Sequence, residues 1–486
     1  MNLWLASAIA RAASVTVNPG DELNALTASL LPGDVVTFNP GLYELDGTVS
    51  WTGAGTADAP IKFVAAAGGT PILRNVGVYG GWVVQLTDSS YVEIRGLTLE
   101  GPEWEDTTTG YGYGNDVSGL YVANSSYVTI EDNTVRSTWG TSMRIDGDTN
   151  HVTIRHNELS NTGDGTGLSV GCGDASCWMQ DSLIEFNLLH DLEGYGIYLN
   201  PGTQSTVVQH NVIFRIDDTG IVLTTTNFGP QNTVTGNAIW EGEDDGIYVE
   251  GSALIQNNVI FQVGGSGIYS RNSNYDDGLV DVQISHNTVA MTDGWAVRLE
   301  NWFDRDQMVF ANNALANPVG YGLYWDDWNL DDGYSTTGGY GDSPNYVSNN
   351  VVTGLVDGFD PVQHPTFILP GGGITDFEAF ENYDFYPTSD SMIRDRGDAN
   401  GAAYIPQVDF NGTARDGAAP DVGAYEYDAD GNPGWPVQEG FKEYTPSEGR
   451  NSLSGTTGCC GGKSDATAAL LPLPLALLLV SRRRRG

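Results

Sequence analysis

Basic residues are scarce in this sequence. The 486 residues include 62 Asp and Glu but only 21 Lys and Arg, which gives a formal net charge of −41. The lysines are Lys62, Lys442 and Lys463. Nucleic-acid binding needs many cations, because these replace the counterions along the phosphate backbone. The composition therefore excludes nucleic acid as a natural partner.

Long apolar runs are missing except near the two ends. Residues 3–10 are apolar and precede small residues, so residues 1–12 are interpreted as a signal peptide. Residues 466–480 are apolar, contain two prolines and precede four arginines. This stretch is barely long enough to cross the ~30 Å hydrocarbon core of a membrane as a helix.

The tail at 458–486, which includes Cys459 and Cys460, resembles the Cys-containing C-terminal sorting signals of myxobacterial surface proteins. A membrane protease removes such signals, and a plain tail anchor is the alternative. Either interpretation predicts an extracellular protein anchored at the cell surface, on the outer membrane. The membrane would then be contacted only through this tail, before processing.

Cysteine is also rare, with four residues in all. Apart from the tail pair, Cys172 and Cys177 close a short loop. In an exported protein this spacing favours a disulfide, and the sequence shows no further soft ligands nearby for a metal site.

A short motif recurs along the middle of the chain. A β-branched run ends in Asn, and these residues are Asn133, Asn157, Asn187, Asn211, Asn237, Asn258, Asn287, Asn313 and Asn350. Between them lies a Gly-apolar-x-apolar phrase, as at 196–199 and 246–249. Two or three strands per ~25 residues leave no room for crossover helices, so each repeat is one turn of a solenoid.

The motif resembles the parallel β-helix repeat of pectate-lyase-like proteins over residues 88–356. We therefore predict an all-β fold, a right-handed single-stranded parallel β-helix of about ten coils. The Asn side chains should occupy the same corner of each coil, where the amide can donate and accept along the stack and where Asn tolerates a left-handed backbone. The repeat indicates the fold and says little about activity.

Residues 13–87 are predicted to form the N-terminal cap and the first coils. Residues 21–31 have the apolar spacing of a short capping helix. Phrases in residues 32–61 resemble the opening coils of β-helix polysaccharide lyases, including alginate and chondroitin lyases. Those enzymes use a Lys and Arg pair late in the helix, but no Lys occurs here between Lys62 and Lys442, so their mechanism cannot be carried over.

Residues 357–427 resemble the choice-of-anchor-type closing module of surface-anchored β-helix proteins, and we expect this module to cap the last coil. Residues 428–457 are rich in Gly, Pro, Ser and Thr and are predicted to be a flexible stalk. In the stalk, Asp428, Asp430 and Asn432 alternate as calcium ligands do, although Pro433 stands where such a loop needs Gly. Calcium and an ordinary acidic turn both remain open.

The middle residue of each Gly-apolar-x-apolar strand should point outward, because side chains alternate along a strand. The column so defined contains Tyr121, Arg144, Ser169, Tyr198, Val222, Tyr248, Tyr269, Arg298 and Tyr324. Its tyrosines and arginines, ~4.8 Å apart, would form a flat strip suited to sugar rings and hydroxyls. The alternative explanation for these tyrosines is that Tyr has a high propensity for β-strands, without any role in binding.

Acidic residues collect in the turn before each Gly. Stacking would bring Asp217 or Asp218 close to Asp244 or Asp245 of the next coil. When two carboxyl groups lie close together, their pKa values move apart. A glycoside hydrolase needs such a difference between its general acid and its nucleophile or base. The Asp-Asp-Gly-Ile phrase at 244–247 resembles that of β-helix polygalacturonases, but their Gly-His-Gly and Arg-Ile-Lys companions are absent. Asp before Gly is also common turn chemistry.

These patterns predict a secreted, surface-anchored and monomeric β-helix that binds polysaccharide or cell-envelope glycan on its outer strand face, and they leave open whether it also catalyses a reaction. The alternative is a carbohydrate-active enzyme, either a hydrolase using paired Asp or, less favoured, a lyase with Arg144, Arg271 or Arg298 as its base. An anionic polymer would be repelled by the acidic chain unless calcium bridged the carboxylates, so neutral glycans are the easier partner.

Overall fold

Parallel strands stack into a solenoid with three faces. The computed structural model describes residues 13–77, 81–102, 117–163, 165–173, 176–225, 229–272, 279–302, 307–325, 334–335, 345–358, 362, 365–371, 373–399 and 405–443. Among the described strands, pairing is parallel except for Phe377–Ala379 with Asp384–Pro387. The predicted parallel β-helix is confirmed.

Face 1 is a 14-stranded sheet. Its strands are Ser14–Val17, Val35–Phe38, Ile61–Ala65, Ser90–Arg95, Ser126–Glu131, Thr153–Arg155, Leu183–Glu185, Val207–Gln209, Asn232–Thr235, Ala253–Gln256, Val282–Ser285, Val309–Ala311, Tyr334–Ser335 and Asn345–Ser348.

Faces 2 and 3 belong to one 23-stranded sheet. Face 2 contains Gly41–Leu45, Pro71–Asn75, Thr98–Glu100, Thr134–Arg136, Glu158–Thr162, Leu188–Leu192, Val212–Ile216, Ala238–Gly242, Val259–Phe261, Thr288–Ala290, the start of Ala314–Trp325, Asn350–Asp357 and Ile368–Leu369. Face 3 contains Val49–Trp51, Gly81–Thr87, Val117–Ala123, Met143–Asp146, Leu168–Val170, Ile197–Leu199, Ile221–Leu223, Ile247–Val249, Ile268–Arg271, Trp295–Glu300 and the end of Ala314–Trp325. Met179–Gln180 and Thr203–Gln204 form a separate short pair.

The core lies inside the three faces, because alternate residues of every strand point inward. On face 3, Ile197 and Leu199 are fully buried whereas Tyr198 between them is half-buried. The same register repeats on the next coils, where Ile221 pairs with Ile247. The outward positions of face 3 are therefore those that the alternation predicts.

The ladder of Asn side chains joins face 1 to face 2, as predicted. Asn157 donates from both its backbone N–H and its Nδ2 to Oδ1 of Asn187, each at 3.0 Å, and the pattern continues from Asn133 to Asn350. The left-handed residue is, however, the one before each ladder Asn, such as His156 with φ 51° and His210 with φ 55°. This residue turns the corner and points outward, which leaves the following Asn side chain free to point inward and reach the next coil.

The N-terminal end of the solenoid carries the predicted short helix. It is a 3-10 helix at Leu23–Ser29, and Leu23 is buried in the solenoid core. The Asn24 side chain accepts a hydrogen bond from Ser50 N at 2.8 Å, which ties the helix to the first strand of face 3.

The start of the C-terminal module covers the last coil as expected, because Ile368–Leu369 pairs with Asn350 and Val351 and Phe367 is buried in the solenoid core. The rest of the module does not cap the coil and lies along the outside of face 2. It contains the 3-10 helices Gly373–Asp376 and Phe380–Asn382. Outward residues of face 2, including Phe214, Trp240 and Phe261, form a second apolar cluster with module residues such as Phe410 and Tyr425. The module docks sideways because these coils present an apolar outer surface, which must be covered.

The predicted flexible stalk is also corrected over residues 428–443. Trp435 is buried there, and the Lys442 side chain is fully buried. Lys442 Nζ donates to the carbonyls of Gly236 at 2.7 Å and Phe410 at 2.8 Å. These contacts fasten the segment to the corner between faces 1 and 2 despite its Gly- and Pro-rich composition.

Several sequence predictions fall outside the described residues. They are the signal peptide at 1–12, the stalk beyond residue 443, and the sorting tail at 458–486 with Cys459 and Cys460. Within the described part of the chain, no helix has both the length and the apolar character needed to cross a membrane.

Candidate functional site

A groove of about 520 Å³ runs along the outside of face 3. Strand register builds it, because Tyr198 pairs with Val222, Val222 with Tyr248, and Tyr248 with Tyr269 on successive coils. The groove brings together the predicted site residues Tyr198, Asp218, Asp244, Asp245, Tyr248, Tyr269 and Arg298.

Four other predicted residues lie elsewhere on the surface. Tyr121 stacks on Trp82 with ring centroids 4.9 Å apart, and Arg144 pairs with Asp146 at 2.9 Å, both on earlier coils of face 3. Tyr324, on the coil of this face that follows Arg298, packs on Trp295 of the groove with ring centroids 5.3 Å apart.

Asp217 lines a separate depression of about 290 Å³ at the corner between faces 2 and 3, together with Asp191 and Glu241. It is therefore on the other side of the turn from its neighbour Asp218.

Three carboxylates form one wall of the groove. Asp245 is only 8% exposed, and its Oδ1 accepts a hydrogen bond from Ser266 N at 2.6 Å. Burial and the charge of Asp244 raise the pKa of Asp245 to about 6, although the Ser266 hydrogen bond and Arg298 oppose this change. Burial and Asp244 also raise the pKa of Asp218. A carboxyl that is partly protonated near neutral pH beside other carboxylates can act as a general acid.

The tyrosine hydroxyls of the groove are bound by acidic residues of the same face. Tyr248 donates to Glu250, and Tyr269 donates to Glu300 Oε2 at 2.5 Å. Burial and these carboxylates raise the pKa of both tyrosines, so both stay protonated. Arg298 Nε donates to Glu300 Oε1 at 2.9 Å.

The expected flat aromatic strip is not formed in this groove. The rings of Tyr248 and Tyr269 meet edge to face, with centroids 5.2 Å apart, and Tyr195 is tilted against Tyr198 at the same distance. Edge-to-face contact is a favoured arrangement for aromatic pairs, because it brings the positive ring edge onto the negative ring face. The groove therefore presents ring edges and hydroxyls as well as ring faces.

Two aromatic residues of the groove, Tyr195 and Trp295, were missed by the sequence prediction. Each stands at the last position before a face 3 phrase, directly before Gly196 or Ala296, as Asp245 does before Gly246. The signal was present in the repeat, but the prediction treated this position as a place for acidic residues only.

The groove arginines do not suit a lyase base. Tyr269 and neighbouring acidic residues raise the pKa of Arg271. The pKa of Arg298 is lowered by burial, but the Glu300 hydrogen bond and Tyr269 outweigh this effect and raise it overall. A lyase base must lose its proton, and a raised pKa opposes that loss in both residues.

The Cys172–Cys177 disulfide is confirmed, with the two Cα atoms 5.8 Å apart. It closes the loop that follows the face 3 strand Leu168–Val170.

The predicted calcium ligands form a turn. Asp430 N donates to Asp428 Oδ1 at 3.0 Å, and Asn432 Oδ1 accepts a hydrogen bond from Asn411 Nδ2 at 2.6 Å. Glu439 stands twelfth when Asp428 is counted as the first residue, which is the place of the last ligand in a calcium loop, and it pairs with Arg215 of face 2 at 2.7 Å. Side-chain oxygens of Asp428 and Asn432 thus already accept hydrogen bonds within the protein, and calcium binding at Asp428, Asp430 and Asn432 stays a prediction.

Glu131, Asp132 and His156 also come within reach of one common ion. Arg155 lies 2.7 Å from Glu131, and Arg95 lies 2.9 Å from Asp132. Two guanidinium groups already balance these carboxylates and would repel a cation, so the cluster is a surface ion-pair network.

The fold and this outward groove define a parallel β-helix with a surface cleft across several coils. Residues 82–252 and 118–289 match the family profile described as "Right handed beta helix region". The A-module of a mannuronan C-5 epimerase from Azotobacter vinelandii is similar in structure, with a TM-score of 0.51 and 17% identity over 70% of this chain and 91% of that chain.

A pectate lyase matches with a TM-score of 0.46 and 12% identity over 87% of this chain and 98% of that chain. An alginate lyase from Paenibacillus sp. str. FPU-7 matches with a TM-score of 0.39 and 16% identity over 59% of this chain and 97% of that chain. No curated protein matches the sequence. The chain folds as a right-handed parallel β-helix, and it shares this fold with the A-module of the mannuronan C-5 epimerase.

Proposed function

We propose that the protein binds a polysaccharide in the face 3 groove. The observation that carries this proposal is the meeting of five aromatic side chains with three carboxylates in one open groove; the aromatic residues are Tyr195, Tyr198, Tyr248, Tyr269 and Trp295. Aromatic rings contact the apolar faces of sugars, while carboxylate and phenol oxygens bind their hydroxyls. The similar fold of a domain named for its action on mannuronan is consistent with a polysaccharide partner.

The test is a binding screen of the purified chain against neutral and acidic polysaccharides, followed by titration of the best ligand. Tyr248→Ala should weaken binding about tenfold, since loss of an aromatic contact of ~1.4 kcal/mol changes the affinity by that factor. Tyr127→Ala is the matched control, because Tyr127 is 44% exposed on face 1, away from the groove. Equal losses in both variants, or no binding to any glycan, would contradict the proposal.

Hydrolysis is the second candidate function, and the raised pKa of Asp245 favours it. Protonated Asp245 would donate its proton to the glycosidic oxygen as the bond to the anomeric carbon breaks. Asp218 or Asp244 would act as the base that deprotonates the attacking water or as the nucleophile. The proton taken from water then restores the acid by the end of the cycle.

Release of reducing ends tests this candidate, and unsaturated uronate products would indicate a lyase instead. The rate should fall as the pH rises above about 6, where Asp245 loses its proton. Asp245→Asn, and the double change Asp218→Asn with Asp244→Asn, should each remove activity while the protein still binds glycan. Retained hydrolysis in both variants would exclude this carboxylate group from catalysis.

We also propose that the chain is secreted and held at the outer cell surface through the tail that contains Cys459 and Cys460. The Cys172–Cys177 disulfide supports this proposal, because such bonds persist in oxidising compartments. Mass spectrometry of the surface-extracted protein should find a C-terminus near the cysteines. Cys459→Ser with Cys460→Ser should release the protein or leave it unprocessed, and unchanged processing and anchoring would contradict the proposal.

A further inference from the structure

We infer that the face 3 groove selects neutral glycans and rejects polyuronates. This inference rests on the binding function proposed above and adds the charge class of the ligand. It follows from how the charged and hydrogen-bonding groups of the groove are already paired with each other.

Carboxylates outnumber cations at the groove. Five acidic residues line it or hydrogen-bond to its tyrosines, namely Asp218, Asp244, Asp245, Glu250 and Glu300. Among the described residues that line the groove, the basic ones are Arg271 and Arg298. A ligand that carries one carboxylate per sugar would meet repulsion along the acidic wall, and partial burial of these carboxylates strengthens the repulsion because the local dielectric constant is lower than that of water.

One of the two arginines is already occupied. Arg298 donates to Glu300 through Nε at 2.9 Å, and its guanidinium carbon lies 4.7 Å from the centre of the Tyr269 ring. Arg271 is exposed and forms no ion pair with any residue that the structure describes. One exposed guanidinium, which already lies in the field of Glu300 and Glu250, cannot neutralise a chain of uronates that crosses several coils.

The groove offers mainly hydrogen-bond acceptors, and this also favours a neutral glycan, independently of the number of charges. The hydroxyl protons of Tyr248 and Tyr269 are donated to Glu250 and Glu300, so these phenols offer oxygen lone pairs to a ligand. The wall of carboxylates at Asp218, Asp244 and Asp245 also accepts hydrogen bonds when ionised. Sugar hydroxyls can donate to such acceptors, whereas a uronate carboxylate has no proton to donate.

The test uses pairs of ligands that differ only in charge. Each polyuronate of a panel is compared with its own carboxyl-reduced or fully methyl-esterified form, which has the same backbone without the charge. Binding is measured on the full chain at low and at moderate salt, with EDTA present to remove divalent cations. The neutral form should bind at least tenfold more tightly, and the anionic form should gain affinity as salt increases, because salt screens repulsion.

Tighter binding of the anionic form would overturn the inference and leave the proposed glycan binding intact. Failure of both forms of every pair, and of other neutral glycans, would instead remove the proposed function and this inference with it. The two failures are therefore distinguishable.

A charge variant locates the effect in the groove. Asp218→Asn with Asp244→Asn should raise the affinity for the anionic form at least fivefold at low salt. Asp46→Asn with Asp58→Asn is the matched control, because both residues are exposed on the N-terminal coils and the net charge changes equally. An equal gain in the control would assign the rejection to the overall charge of −41 and overturn the inference about the groove.

Discussion

Replacement of Asp245 by Asn should stabilise the protein near neutral pH, although Asp245 lies at the centre of the candidate site. Burial raises the pKa of this carboxyl from 3.8 to about 6. A tenfold change in an acid dissociation constant corresponds to ~1.4 kcal/mol, so ionising Asp245 in the folded protein costs ~3 kcal/mol relative to the unfolded chain. An amide of nearly the same shape does not ionise and avoids this cost.

The sign follows from proton binding. The folded protein binds the Asp245 proton more tightly than the unfolded chain does, so the free energy of unfolding falls as the pH rises from about 4 to about 6. Below this window both states are protonated, and the variant should resemble the parent. Above it the variant should be more stable by ~3 kcal/mol.

Urea unfolding of Asp245→Asn and parent at pH 4, 5, 6 and 7 measures the difference directly, because titrating groups far from Asp245 contribute equally to both proteins in each comparison. Solenoids can depart from two-state unfolding, so hydrogen exchange of residues 242–250 provides a local measurement. Asp217→Asn is the control at an acidic residue outside the groove. A stability difference that stays constant from pH 4 to 7, or an equal gain in the control, would refute the reasoning.

Three further variants test how the solenoid is held together. Lys442→Met leaves two buried carbonyls without their donor and should lower the free energy of unfolding by ~3 kcal/mol. Limited proteolysis should then cleave residues 428–443 faster, and an unchanged rate of cleavage would contradict their docking by Lys442. Asn211→Ala removes the hydrogen-bond partner of Asn187 N–H and should lower the free energy of unfolding by ~2–4 kcal/mol in urea, whereas a loss below ~1 kcal/mol would show that water replaces the amide. Cys172→Ser with Cys177→Ser should lower the free energy of unfolding by ~2 kcal/mol under oxidising conditions and leave it unchanged in reductant. A difference between variant and parent that persists in reductant would show that packing of the cysteine side chains, and not the disulfide, stabilises the loop.

The repeat made most of the fold predictable, because each coil presents the same physical problem and solves it with the same residues. The Asn ladder is the clearest case, since the inward amide at each corner forms hydrogen bonds with backbone groups of the preceding coil. The docking of the C-terminal module leaves no repeated pattern in the sequence. Lys442, for example, contacts His210, which is 232 positions earlier in the chain, and no repeat of this contact could indicate it in advance.

The part of the candidate site that lies on strands could be predicted, because side chains alternate between the inside and the outside along each strand. Tyr198, Tyr248 and Tyr269 lie where a period of two places them. The turns obey no such rule, so the adjacent acids Asp217 and Asp218 point to opposite sides, and the sequence alone could not say which of them enters the groove. Ring orientation also depends on local partners, such as the carboxylate that holds Tyr248.

The route of the C-terminal segment determines how the molecule is presented. In a three-sided prism, the corner between faces 1 and 2 lies opposite face 3, and Lys442 brings the end of the described chain to that corner. A support attached to this end would therefore lie on the side of the solenoid away from face 3 and would leave the groove accessible. A polymer passing by could enter the open groove sideways at any point along its length, without having to thread a free end.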